Sequence, residues 1–341
     1  MLCLSCVHGG IKKVKDTLLR FERVHKVFKV GHFLSRNVIH AVWDVSFEIP
    51  VEPNVFTLVG ESGSGKTTIA NLLLKTMNPT KGTIWLMNKN LKDYSKAELI
   101  KIIQPVFQDP FETFNPLKKV ETYFLSMLKK VTTSGTRTSN YGLFERILNE
   151  VGLTMEDIKG RYPHELSGGQ LQRLSIARAL LANPRILVAD EPVSMLDASL
   201  RISVLNLLRK LRDQKRMHIF YITHDLATAY YVSDYIAVML KGSIVESGPA
   251  DKVLSSPLHP YTQLLRESVP DIARSIKQLT PKRRVEKIAE SARMYSGDLC
   301  KFVHRCPYKR EICEKEVPPT LTLNGVIVRC WLYHNSVRGG V

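Results

Sequence analysis

The chain has 341 residues, of which 44% are apolar and 24% charged, and its formal net charge is +17. This ordinary globular balance excludes a disordered chain, and the length supports one large domain plus a smaller unit whose core needs no disulfides. The excess of Lys and Arg points to an anionic partner (nucleotide, nucleic acid or acidic lipid) or to a basic solvated surface, and charge alone does not choose.

Residues 1–16 read as a short basic extension carrying Cys3 and Cys6, a pair taken as incidental. No long apolar stretch follows the basic start, so a signal peptide is not expected. Residues 18–59 alternate apolar and polar positions, as in Val45-Ser46-Phe47-Glu48-Ile49, which suits half-buried strands. Val55 to Val59 is a short apolar run that stops at glycines, and Ile69 to Leu74 reads as a helix. Residues 115–165 are helical in pattern, broken by the polar stretch Thr132 to Asn140. Ile186 to Ala189 and Ile219 to Ile222 are short and apolar, as buried parallel strands are, with a helix from Ser199 to Asp213 between them. The best apolar run, Ile219 to Leu240, carries His224, Asp225 and Asp234, so no membrane span is expected. Residues 258–295 are basic and helical in pattern, with a break at Thr280-Pro281, and the tail from 296 is rich in cysteine. A cytoplasmic location is expected, where six cysteines favour metal, cluster or free-thiol roles over disulfides.

Gly60-Glu61-Ser62-Gly63-Ser64-Gly65-Lys66-Thr67 matches the phosphate-binding P-loop pattern and lies between a strand and a helix. Its glycines let backbone N–H groups turn toward phosphate oxygens, and the helix start adds a positive dipole. Lys66 would reach the β- and γ-phosphates, Thr67 would ligate Mg²⁺, and Thr68 extends the cradle. The strand Ile186 to Ala189 runs into Asp190-Glu191-Pro192. Asp190 would help hold the metal shell, and Glu191 would act as general base on the attacking water. His224 ends a third strand, and parallel strands deliver their carboxyl ends to one crevice. Leu166-Ser167-Gly168-Gly169-Gln170 precedes an apolar helix, with Ser167 a good N-cap and two glycines leaving N–H groups open to phosphate. One nucleotide does not need two such helix starts, so sharing between two chains is expected.

The order of P-loop, Gln108, Leu166 to Gln170, Asp190-Glu191, Ser194-Met195-Leu196-Asp197 and His224 resembles the ABC ATPase family over about residues 18–265. The resemblance implies an α/β P-loop fold with a mixed sheet core, a helical subdomain at about 112–182 and a small cysteine-containing C-terminal extension. It implies ATP and Mg²⁺ as ligands and head-to-tail pairing with a second ATPase subunit. Ser167 to Gly169 of one subunit would cap the γ-phosphate on the other's P-loop, Asp197 would cross the interface, and Gln108 would contact Mg²⁺ or water and sense a membrane subunit. Phe28 looks by position like the aromatic that stacks on adenine, with Phe33 a rival. Gln108-Asp109-Pro110-Phe111 through Asn115-Pro116, and His259-Pro260-Tyr261-Thr262, resemble the oligopeptide, dipeptide and nickel importer group. That group implies two permease subunits, an extracellular solute-binding protein acting indirectly, and a place on the cytoplasmic face of the membrane. Some members carry oligosaccharides, so the motifs leave the cargo open.

The expected division is an extension at 1–17, an ATPase domain at 18–265 and a C-terminal extension at 266–341 with a four-cysteine segment at 300–330. Cys300, Cys306, Cys313 and Cys330 lack the tight pairs of a structural zinc site. Their tail resembles that of peptide-importer ATPases, which implies a [4Fe–4S] cluster, with zinc or reduced thiols as the other readings. A nucleic-acid-associated ABC ATPase is the rival function, kept open by the charge but without a coiled-coil insertion or an aromatic–basic motif, so no nucleic acid is expected. A nucleotide-binding module that does not hydrolyse is disfavoured by the presence of both Glu191 and His224.

Overall fold

The computed structural model describes residues 17–30, 37–131, 137–268 and 299–336. Cys3, Cys6, Phe33, the break at Thr280-Pro281 and the basic segment around Lys282 lie outside them, as do residues 132–136 of the polar break.

Alternating apolar positions make β1 (Thr17–Val30) and β2 (Asn37–Pro50) a long antiparallel pair, and β4 (Lys81–Leu86) and β5 (Lys89–Asn90) complete a four-stranded sheet in the order β2-β1-β4-β5. The second sheet has eight strands. Its parallel part orders β9 (Tyr235–Leu240), β3 (Val55–Val59), β8 (His218–Thr223), β7 (Ile186–Asp190) and β6 (Ile103–Val106). These strands are nearly continuous apolar runs because both faces are covered. Beyond β9 the sheet turns antiparallel, through β10 (Ser243–Pro249), β12 (Val326–Arg329) and β11 (Thr320–Leu323).

The two-residue period of a strand assigns each residue of the parallel sheet to a face. Phe56, Leu58, Val188, Phe220 and Ile222 point to the core between the two sheets. Leu187, Ala189, Ile219 and Tyr221 point to the opposite core, beneath the helices Val120–Val131, Gly168–Leu180 and Ala198–Lys215. A third core packs β9 and β10 against Tyr261, Phe302 and Val326, so the C-terminal segment joins the fold.

An aromatic stack joins the two sheets. Ring centroids lie 4.5 Å apart for Phe21 and Phe47, 4.9 Å for Phe47 and Phe56, and 5.6 Å for Phe56 and Phe220. Such contacts contribute about 0.5–1.5 kcal/mol per pair beyond the area they bury. At the start of β3, Asp234 accepts from the Val55 amide at 2.7 Å while Arg212 grips the same carboxylate at 2.7 and 2.8 Å. The strand that feeds the P-loop is thereby fixed at its base.

Two tight turns explain how the sheet grows at its antiparallel end. Lys241 and Gly242 between β9 and β10 have φ of 43° and 85°, and Asn324 and Gly325 between β11 and β12 have φ of 50° and 82°. Left-handed conformations at both central positions match the twist of a hairpin. Replacing Phe56 by Ala should lower unfolding free energy by about 3–5 kcal/mol, since the cavity would open where two sheets meet. Denaturant unfolding of the nucleotide-free chain checks this, and a loss below about 1 kcal/mol would show that the stack does not bear the inter-sheet contact.

Candidate nucleotide site

The carboxyl ends of β3, β7 and β8 lie level, with Val59 beside Thr223 and Asp190 beside Ile222. The Walker-type loop from Gly60 to Lys66 leaves β3 and enters the helix Lys66–Leu73. Its shape depends on close backbone approach. A Cβ at Gly60 would lie 2.1 Å from the Met239 carbonyl oxygen, and one at Gly65 would lie 2.2 Å from that of Ala41. Gly65 also has φ of 104°, and Gly63 has φ of 77° with open space beside it. The Gly242 amide donates to the Ser64 carbonyl at 2.8 Å, so the loop rests on the β9–β10 turn.

The Lys66 ammonium donates to the carbonyls of Gly60 at 2.8 Å and Glu61 at 2.9 Å. An ammonium has three donors, so one remains for an incoming anion. Burial pushes the Lys66 pKa down, and the carboxylates of Glu191, Asp190 and Glu61 oppose that shift. Burial raises the Asp190 pKa, while a hydrogen bond from Thr67 and the charge of Lys66 hold it down. The buried Ser64 hydroxyl has no protein partner, and no side chain caps the helix that starts at Lys66. Buried polar groups of this kind call for a ligand. An anion with several acceptor oxygens would satisfy them together.

Glu191 has φ of 46°, a costly conformation for a residue with a side chain. Its amide still donates to Ile222 on β8 at 2.9 Å, and the reversed backbone directs the carboxylate to His224, whose Nδ1 lies 2.9 Å from Glu191 Oε1. Beside this pair is a cavity of about 50 Å³ lined by Glu191, Ser194, Arg201, Thr223, His224, Asp225 and neighbouring groups. It is polar and large enough for a water molecule. Gln108 is exposed just past β6, outside this hydrogen-bonded set.

The remaining expected ligands form a separate cluster. Ser167 accepts from the Gln170 amide at 3.2 Å while Gln170 accepts from the Ser167 amide at 3.1 Å, a reciprocal cap. Asp197 caps the helix Ala198–Lys215 through Leu200 at 3.0 Å, which holds its pKa below the usual carboxylate range. Leu196 and Leu200 pack beneath Gly168 and Gly169, so the two helix starts lie side by side. Ser167, Gly168 and Asp197 are exposed. Among the described residues no hydrogen bond or ion pair joins this cluster to the P-loop of the same chain. Phe28 is half-buried opposite Ile39, with the Lys26 ammonium 5.2 Å from its ring centre.

Residues 42–194 match the ABC transporter family model, and residues 245–313 match the model for the oligopeptide/dipeptide transporter C-terminal region. The di/tripeptide transport ATP-binding protein DppF of Pseudomonas aeruginosa is 37% identical over 92% of this chain and 97% of its own length. This chain belongs to the ATP-binding subunits of ABC transporters. The oligopeptide transport ATP-binding protein AppF of Bacillus subtilis is 36% identical over 89% of the chain and 93% of its own length. A solved dimeric structure of the ATP-binding cassette MJ0796 bound to ADP and Pi is 27% identical, with a TM-score of 0.60, covering 68% of this chain and 98% of that one. The chain is thus an ATPase subunit with an α/β cassette fold.

Cys300, Cys306, Cys313 and Cys330 are free thiols, and among the described residues no group of three or more His, Cys, Asp or Glu is arranged to hold a metal ion. The expected [4Fe–4S] cluster therefore finds no support, and neither does zinc. Burial pushes the thiols of Cys300 and Cys306 up and that of Cys330 to about 11, with neighbouring cysteines adding to each shift. Cys300 and Cys306 pack against the third core as small apolar side chains.

Sequence reasoning passed over Glu61, Tyr261 and the chain segments that support the loop from behind. The Glu61 amide donates to the Tyr261 hydroxyl at 3.0 Å. His259 caps Tyr261 at 3.1 Å, and burial drives its pKa to about 3, so the imidazole is neutral. The motif His259-Pro260-Tyr261-Thr262, used above only as a branch marker, was the available signal. Gly65→Ala should abolish nucleotide binding, because it adds a backbone clash to an unfavourable φ, whereas Gly63→Ala should weaken binding only about tenfold through its φ alone. Titration of both variants with MgATP checks this, and equal affinities would contradict it.

Proposed function

We propose that this ATPase powers the import of oligopeptides or dipeptides through permease partners, working peripherally on the cytoplasmic face of the membrane. The match of residues 245–313 to the oligopeptide/dipeptide transporter C-terminal region carries this reading, and relatives named for peptide transport over most of the chain support it. Among the described residues no helix is long and apolar enough to cross a membrane; in this proposal the translocation path is formed by the permease partners. An oligosaccharide is the alternative cargo. Nothing in the matched families or relatives favours a nucleic-acid role.

In this proposal the loop from Gly60 to Thr68 holds the ATP phosphates through Lys66, the Ser62 and Ser64 hydroxyls and its amides other than those of Glu61 and Ser64, which bond within the protein, and Phe28 faces the adenine. Thr67, Asp190 and Gln108 would hold Mg²⁺, which supplies charge neutralisation at the β- and γ-phosphates. Glu191 polarises the attacking water, and His224 holds the Glu191 carboxylate in place. Phosphoryl transfer needs positioning and charge stabilisation rather than a covalent intermediate, and these residues supply both. A second cassette, of the same or a homologous chain, would present its Ser167, Gly168, Gly169, Gln170 and Asp197 to the nucleotide. The exposure of Ser167, Gly168 and Asp197 supports that assignment. The proposed ATPase unit spans 18–265, with a helical part at about 112–182, followed by the extension 266–341.

Glu191→Gln should lower ATP turnover by about 10²–10⁴ while leaving ATP binding intact. Parallel turnover and binding measurements on the purified chain with its partner subunits check this. Turnover near that of the unmodified protein would remove Glu191 from the role of general base.

A further inference from the structure

The tail that follows the undescribed residues 269–298 returns to the first residues of the phosphate loop. The Arg305 guanidinium donates from Nη2 to Glu61 Oε1 at 2.9 Å and from Nη1 to Glu61 Oε2 at 3.1 Å. This is a forked, charge-assisted pair, the geometry in which Arg fixes direction as well as position. The same Glu61 is held at its amide by the Tyr261 hydroxyl, 3.0 Å away. Its carbonyl accepts from Lys66 at 2.9 Å and from the Ser64 amide at 3.2 Å. Amide, carbonyl and carboxylate of one loop residue are therefore all occupied, and the carbonyl contact is with the lysine that faces the phosphates.

The support beneath this contact is rigid. Phe302 is buried, with its ring centre 5.5 Å from that of Tyr261, and the Arg305 guanidinium lies 5.5 Å from the Phe302 ring centre. The Arg305 amide donates to the Phe302 carbonyl at 3.0 Å, so one turn of the tail carries both side chains. The tail is in turn anchored on β10 by β12, where Glu246 pairs with Val328.

We infer that Arg305 is a positioning residue for the nucleotide site: together with Tyr261 it sets Glu61, and through the Glu61 carbonyl it sets Lys66, so the C-terminal extension is a working part of the phosphate cradle. The inference rests on the assignment of the loop from Gly60 to Lys66 as the ATP site. It requires that Arg305 act through the Glu61 carboxylate, and that requirement separates it from a general packing role.

A double-mutant cycle on the full chain tests it, with MgATP affinity and hydrogen exchange of residues 60–65 as the readouts. Arg305→Ala and Glu61→Gln should each weaken MgATP binding and raise KM by about three- to tenfold, and in Arg305→Ala kcat at saturating ATP should change less than about twofold, because a correctly bound phosphate restores the loop. The double variant should bind no more weakly than either single one. Exchange of the nucleotide-free loop should quicken in Arg305→Ala, and the reversed pair Glu61→Arg with Arg305→Glu should regain affinity that either reversal alone loses. Unchanged affinity and exchange in Arg305→Ala, or losses that add in the double variant, would overturn the inference. Lys66→Ala is the control for the site itself. If unmodified protein binds MgATP no better than Lys66→Ala, the site assignment fails, while loop exchange still reports on the Arg305 contact.

Discussion

The close approach of two carbonyl groups to two glycines governs this molecule. Met239 on β9 and Ala41 on β2 press against Gly60 and Gly65 so tightly that neither position has room for a side chain. Both sheets thus contribute backbone to the packing of one loop. The aromatic stack from Phe21 to Phe220 keeps the sheets at the separation this requires. Fold stability and the shape of the loop therefore meet in the same contact.

The carboxylates around the loop have divided environments. Asp190 is half-buried, accepts a hydrogen bond from Thr67 and feels the charge of Lys66. Glu191 is turned away from its strand by a left-handed backbone and meets His224 beside a water-sized cavity. Adjacent residues of one strand end thus point to different tasks because the backbone reverses between them. The strain at Glu191 is borne by the β7–β8 pairing, which retains the hydrogen bond from its amide to Ile222.

Much of this organisation was legible from the order of residues. The buried strands at 186–190 and 218–223 are uninterrupted apolar runs, and the helix read from Ser199 to Asp213 extends from Ala198 to Lys215, started by the Asp197 cap. The helix after the P-loop begins at Lys66 rather than Ile69, because Gly65 leads directly into it and polar residues fill its first turn. The Asn324-Gly325 hairpin was legible in principle, since that dipeptide between alternating apolar residues is a strong turn signal, yet the nearby cysteines drew the reading toward metal chemistry. The link from Arg305 to Glu61 was not legible, because it spans 244 residues and depends on where the sheet carries the tail. The cysteine spacing likewise said nothing of the packing of Cys300 and Cys306 against the third core.

Two donors of Lys66 hold the loop, and the third is assigned to the incoming phosphates. Calorimetric titration of MgATP into the intact chain and its Lys66→Ala variant tests this most directly. The account predicts that the unmodified chain binds one MgATP and that the variant binds it at least about tenfold more weakly, the loss of a charge-assisted contact to phosphate. Equal affinity in the two proteins would contradict it.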